Sequence, residues 1–192
     1  PIAKWNLARF AECLIPLIDK NEDQAIKTAT QIIDNFQTIY EQKWLDMMKS
    51  KLGLIGDNKD DLKLINSLLN WMEESKADYT NTFCYLMDMP IKDETYNDKR
   101  FIEWVKAWNN RSTLNNSNKE NQFQFMKKVN PVIIPRNHKV EEALSDANKN
   151  NYETLYKLLS VIQNPYNPKV DVLEYQSPAP ESKEKYQTFC GT

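Results

Sequence analysis

Cys190 is the residue that type and position best equip for chemistry. It stands third from the end, in Thr188-Phe189-Cys190-Gly191-Thr192, after a stretch broken by Pro165, Pro168, Pro178 and Pro180. A thiol beside a glycine on such a segment has the access that thiol–disulfide exchange requires. The residues alone leave two readings open, an inert terminal thiol and a redox latch. His138 is the sole histidine and the only imidazole that could serve this thiol as a base. It belongs to a different segment, in a loop before a helix start, so a capping or surface role is the stronger reading.

Other constellations are weaker. Arg136, set between Pro135 and a helix start, can fork onto a carboxylate or onto several backbone carbonyls. Structural anchoring is favoured for it over an interface or ligand role. Asp57-Asn58-Lys59-Asp60-Asp61 suggests a calcium loop, but the third, sixth and twelfth positions carry Lys59, Leu62 and Leu68, so a helix N-terminus fits better. Glu73-Glu74 and Glu141-Glu142 are adjacent pairs whose side chains diverge on a helix, which marks solvated faces. Phe101, Trp104 and Trp108 could form a stacking platform, yet no basic stripe accompanies them, and core packing is the better reading.

Composition bounds what remains. The 192 residues fit one domain or one and a half, with 41% hydrophobic residues to close a core. A net charge of -2 gives no reason to expect a nucleic-acid or membrane-surface partner. Gly53, Gly56 and Gly191 are the only glycines, too few and too far apart for either common glycine-rich phosphate loop. One histidine excludes multi-histidine zinc sites, and Cys13, Cys84 and Cys190 form neither a disulfide framework nor a C-x-x-C pair. From the residues themselves, no catalytic, cofactor-binding or metal-binding residue is assigned. The apolar runs are too short to suggest a membrane span, and cytoplasm is the default location. The chain opens without Met on a helical pattern, which suggests a piece of a longer polypeptide, although trimming of a leader would look the same.

The elements that must position these residues are all helical. Trp5, Ala8, Ala11, Leu14, Ile15 and Ile18 mark a first helix, with a kink or end expected at Pro16. A long second helix is predicted from Asp23 to Lys51, its inner face formed by Ile26, Ile33, Phe36, Ile39, Tyr40, Trp44, Met47 and Met48, with Gly53 as a left-handed cap. Asn58 offers its side chain to the start of a third helix carrying Leu62 to Met72. Asp78 or Thr80 starts a short fourth, which Pro90 ends. Asn97 or Thr95 caps a fifth bearing Phe101, Trp104, Val105 and Trp108. A sixth runs from Lys119 to Val129, and two more lie near Val140–Asn148 and Tyr152–Gln163. The reading is an all-α, irregular bundle of about eight helices over 1–163, with an extended proline-rich tail over 164–192 that carries the terminal cysteine.

Several stretches in order resemble the selenoprotein O (SelO) family of pseudokinase-fold protein adenylyltransferases. They are Ile2-Ala3-Lys4-Trp5-Asn6-Leu7-Ala8-Arg9-Phe10-Ala11-Glu12, Asp78-Tyr79-Thr80-Asn81-Thr82-Phe83, and Asn130-Pro131 with Ile134-Pro135-Arg136-Asn137. Val140-Glu141-Glu142-Ala143-Leu144, Tyr175-Gln176-Ser177-Pro178-Ala179-Pro180 and Phe189-Cys190-Gly191-Thr192 complete the set. Cys84 departs from the pattern, since the family has an arginine there. The resemblance implies that the chain is the C-terminal part of a kinase-like lobe in a longer protein, which binds ATP with Mg2+ and transfers AMP to Ser, Thr or Tyr hydroxyls of protein substrates.

The family's catalytic, nucleotide-binding and metal-binding residues map upstream, so none is carried onto Pro1 to Thr192. Cys190 alone maps, as the family's C-terminal redox-regulatory cysteine, whose partner would lie in the upstream catalytic lobe of the same polypeptide. A first helix that is apolar on more than half its circumference would sit at the centre of such a lobe. Without the upstream part, the reading predicts a homodimer through the first helix, or an apolar groove in its place. The competing reading is a stand-alone helical protein-interaction module without nucleotide chemistry.

Overall fold

The computed structural model describes residues 2–113, 118–167 and 173–179, and every regular element among them is helical. The helices are α1 (Ile2–Ile18), α2 (Glu22–Lys51), α3 (Asp61–Ser75), α4 (Tyr79–Leu86), α5 (Lys99–Thr113), α6 (Lys119–Lys127), α7 (Asn137–Ala147), α8 (Glu153–Ile162) and α9 (Leu173–Gln176). A 3-10 turn, Glu94–Asn97, precedes α5. The all-α expectation holds, and α1 to α8 are the eight expected helices. The chain divides into two compact units, Pro1–Lys49 and Ser50–Thr192.

In the first unit, α1 carries Pro16 inside its last turn and ends at Ile18. Proline has no amide for the bond to the fourth residue back, so the helix stops within a turn of it. The Asp19 carboxylate accepts from the Asn21 amide at 2.8 Å, and Asn21 in turn accepts from Gln24 N at 3.0 Å, which starts α2. Glu22 and Asp23 in that first turn suit the positive end of the helix dipole. Lys4 reaches across to Asp34 at 3.1 Å.

The expected inner face of α2 needs correction. Ile26, Ile39, Tyr40 and Met47 are exposed, Ile33, Phe36 and Trp44 are half-buried, and only Met48 is fully covered. The buried positions along the first half of the helix are Ala25 and Ala29. Periodicity marks a stripe that wants cover, and along the first half of α2 only the alanine side has it. No residue of α1 is buried, and Trp5 and Phe10 stand 61% and 62% exposed.

The second unit holds the larger core, built from Ile65, Leu68, Phe83, Phe101, Met126 and Ile133 among others. An aromatic ladder runs through it. Trp71 stacks on Phe101 at 4.3 Å, and Trp104 lies 6.1 Å from both Phe101 and Trp108 with ring planes within 10°. Every indole N–H along it finds an acceptor: Trp71 donates to Asp98 Oδ2 at 3.1 Å, Trp104 to Leu64 O at 2.8 Å and Trp108 to Leu52 O at 2.9 Å. Buried indoles need such partners, so the core reading of this aromatic run stands.

The helix ends follow local chemistry. Gly53 takes a positive φ of 63° and donates to Ser50 O at 3.1 Å. A Cβ there would lie 2.5 Å from Gln122 Cγ, so this position excludes side chains twice over. The Asn58 side chain accepts from Asp60 N at 2.9 Å just before α3, and Asp60, which holds the cap position, makes no side-chain cap bond. Asn118 caps α6 by accepting from Glu120 N.

Two ends differ from expectation. The residue before α5 is Asp98, which accepts from Arg100 N at 2.8 Å, while Thr95 and Asn97 lie in the 3-10 turn. Helix α7 starts at Asn137, three residues before Val140, because Arg136 already holds extended backbone and serves as its cap position.

Candidate functional site

The densest polar node lies in the second unit, where α4, the start of α7 and α9 converge on one arginine. Asp78 caps α4 by accepting from Asn81 N at 2.8 Å, and its main-chain oxygen accepts from the Thr82 hydroxyl at 2.7 Å. Arg136 donates to both Asp78 carboxylate oxygens, through Nη1 to Oδ2 and through Nη2 to Oδ1 at 3.0 Å. The same Nη2 donates to Asn81 Oδ1 at 3.3 Å and to Gln176 O at 2.8 Å. Burial pushes the Asp78 carboxyl up. The Arg136 guanidinium and the Asn81 amide outweigh that and hold it below its ordinary value of 3.8. The fork anticipated for Arg136 therefore exists, and its role is anchoring.

What it anchors is the chain beyond α8. Gln176 is 5% exposed, and its main-chain oxygen also accepts from Asn81 Nδ2 at 3.2 Å. Its side chain donates to Val132 O at 3.3 Å, while Val132 N donates to Pro165 O at 2.7 Å. Lys139 adds an ion pair to Glu174 at 2.5 Å and lies over the Tyr175 ring. Extended chain was expected here, and the residues described include one helical turn whose last residue is buried. Nothing in a proline-rich, polar stretch signals a buried glutamine. Sequence alone does not single it out, although it stands in the family-like run Tyr175-Gln176-Ser177. Cys190 lies outside the described residues.

Next to this node sits Cys84, fully buried, its thiol pushed up to about 11 by burial and by the Asp78 carboxylate. Lys51 lies 4.5 Å over the Phe83 ring and 5.5 Å over Tyr79, and burial draws its ammonium below the usual lysine value. A thiol held in its protonated form is a packing group and not a nucleophile.

A second ion pair is buried more deeply. Arg111 donates through Nε to Asp61 Oδ1 at 2.6 Å and through Nη2 to Oδ2 at 3.0 Å, and also to the main-chain oxygens of Ile55 and Gly56. Asp61, the last residue of the run read from sequence as a helix N-terminus, is 2% exposed and holds the loop before α3 in place. The paired glutamates are surface groups, as anticipated: Glu74 meets Arg100 at 2.5 Å and Glu142 meets Lys139 at 3.1 Å, while Glu73 and Glu141 are exposed. His138 is half-buried in the first turn of α7.

These groups fasten helices and loops to one another. No three of His, Cys, Asp or Glu there come together as a cation site, and no helix there is long and apolar enough to cross a membrane. The architecture is all-helical among the described residues. A family model described as protein adenylyltransferase SelO matches residues 1–163, and the chain belongs to the SelO family. Among curated relatives, the protein nucleotidyltransferase YdiU of Pelagibacter ubique (strain HTCC1062) is 53% identical over all 192 residues of this chain. The proteins of that name from Nitrosococcus oceani and Brevibacillus brevis are 42% and 44% identical, again over the whole chain. The chain spans about 40% of the length of these relatives.

Proposed function

We propose that this chain is the C-terminal helical region of a SelO-type protein adenylyltransferase. In this reading the parent transfers AMP from ATP to Ser, Thr or Tyr hydroxyls of proteins, and the present residues support that transfer without performing it. The observation that carries the reading is the end-to-end match to nucleotidyltransferases that are about two and a half times longer. The chemistry agrees with it. The buried Asp61 and the half-buried Asp78 each face an arginine, and the three glycines cannot build a glycine-rich phosphate loop. In this reading ATP and Mg2+ are held by the remainder of the parent; among the described residues no three of His, Cys, Asp or Glu come together as a cation site.

Cys190 has a regulatory part in this proposal. Paired with a cysteine of the upstream catalytic lobe, it would form a disulfide by loss of two protons and two electrons to a peroxide-class oxidant. The node at Arg136 supports the idea by fixing residues 173–176, so that a bond formed farther along the tail would pull on an anchored point.

The test is nucleotide transfer to protein, assayed with labelled ATP and Mg2+. The chain alone is expected to transfer nothing and to melt at the same temperature with or without Mg-ATP. The longer polypeptide is expected to transfer AMP, with a response to peroxide and reductant that Cys190→Ser abolishes. Transfer by the chain alone would overturn the scaffold reading, and an unchanged redox response in the variant would remove Cys190 from it. The apolar faces of α1 and α2 favour a second reading, a stand-alone interaction module. Under that reading the encoding frame would not continue into a nucleotide-binding lobe.

A further inference from the structure

Between α1 and α2 lies an open cleft of about 870 Å3. Its floor is apolar, formed by Ala8, Ala11 and Ile15 on one side and by Ala29 and Ile33 on the other. Both walls are helices whose backbone groups are bonded within themselves. An occupant receives no main-chain hydrogen bonds from them and must satisfy its own, which a helix does. A helix about 10 Å across rises 5.4 Å per turn, so the cleft holds roughly two turns.

The rim is acidic. Glu12, Asp19, Glu22 and Asp34 border the cleft against a single Lys20. Arg9 answers Glu12 at 2.6 Å and Lys4 answers Asp34 at 3.1 Å. The excess therefore gathers at the turn between the helices, around Asp19 and Glu22. A two-fold pairing with a second copy would set this acidic rim against itself, and like charges brought together oppose association.

We propose that the α1–α2 cleft seats an amphipathic helix with basic flanks, contributed by the additional sequence of the longer polypeptide. The inference rests on reading this chain as part of such a polypeptide. Two turns of the occupant's apolar stripe fill the cleft, and its Lys or Arg residues meet Asp19 and Glu22.

The experiment compares two proteins, this chain and the full-length Pelagibacter ubique relative. Each carries a cysteine at Ala11 or the position matching it, with the other exposed thiols replaced by serine. Maleimide labelling is expected to be fast in this chain and slower by roughly tenfold or more in the longer protein. Reversing the charges at the positions matching Asp19 and Glu22 should restore much of the speed. Equal rates in the two proteins overturn the proposal. So does slow labelling in this chain as a monomer, which means that the cleft closes on itself. Slow labelling that appears only with a sedimenting dimer assigns the cleft to a second copy and overturns it as well. Nucleotide transfer by the longer protein, assayed separately, reports on the functional reading whichever way the labelling falls.

Discussion

Arg136 and Asp78 are joined by both terminal nitrogens of the guanidinium, and one of those nitrogens also holds the main-chain oxygen of Gln176. The cap of α4 and the attachment of α9 thus share a single cation. Neither can be disturbed without a cost to the other.

Replacing Arg136 by alanine is expected to lower stability by about 2–4 kcal/mol, because Asp78 then stays largely buried without its partner. Arg136→Lys keeps the charge but not the fork, and should recover only part of the loss. Since the Asp78 carboxyl lies below 3.8 in the folded chain, the pair's contribution is complete above that value. It fades as the pH falls through the lower folded-state value. Urea melts of the two proteins should therefore differ most near neutrality and converge in acid.

The Asp61–Arg111 pair is expected to behave differently in single and double replacement. Arg111→Ala strands a carboxylate that is 2% exposed, at a cost of about 3–5 kcal/mol. Replacing both residues by apolar ones of similar size should cost much less. Chemical denaturation of the three variants measures the difference, and equal losses in the single and double variants would contradict the assignment.

Gly53→Ala should destabilise by about 2–3 kcal/mol. A positive φ of 63° costs an L-residue about 1 kcal/mol, and the new methyl meets Gln122, whose amide is fixed to Leu52 O and to the Ser112 hydroxyl. Asparagine, which tolerates this backbone, should not rescue the position, because the contact begins at Cβ. Thermal melts of the alanine and asparagine variants test this, and an asparagine variant as stable as the parent would remove the steric part.

The two cysteines among the described residues should separate cleanly by reactivity. Cys13 is exposed, whereas Cys84 is buried with its thiol near 11. Brief iodoacetamide treatment at pH 8 followed by peptide mass spectrometry should find Cys13 alkylated and Cys84 untouched until denaturant is added. Early alkylation of Cys84 would mean that the α4 core opens far more readily than its packing implies.

Residues that act on their near neighbours were legible in the sequence. Gly53 and Asp78 end or start helices by bonds within a few positions, so their types announced their roles. Asp98 escaped notice because Asn97 and Thr95 are equally good cappers. The choice falls to a side chain 27 positions away, the Trp71 indole seeking an acceptor. Arg136 declared a fork by type and by its proline neighbour, but not that the carboxylate it grips lies 58 positions back. The apolar stripe of α2 shows the limit of periodicity, which says that a face wants cover and not where the cover resides. Cys84 gave the sequence no sign of burial beyond its type, and the described residues place it in the core.

The five tryptophans divide into two optical populations. Trp71, Trp104 and Trp108 are enclosed, and the rings of the last two are stacked nearly parallel at 6.1 Å. Trp5 stands open to solvent on α1, with Trp44 half-covered on α2. Excitation absorbed by the enclosed group can migrate among its members and emerge blue-shifted and depolarised, while Trp5 emits in the red and remains open to iodide. Steady-state fluorescence of the natural chain therefore distinguishes events at its first helix from events in its larger core, with no dye attached.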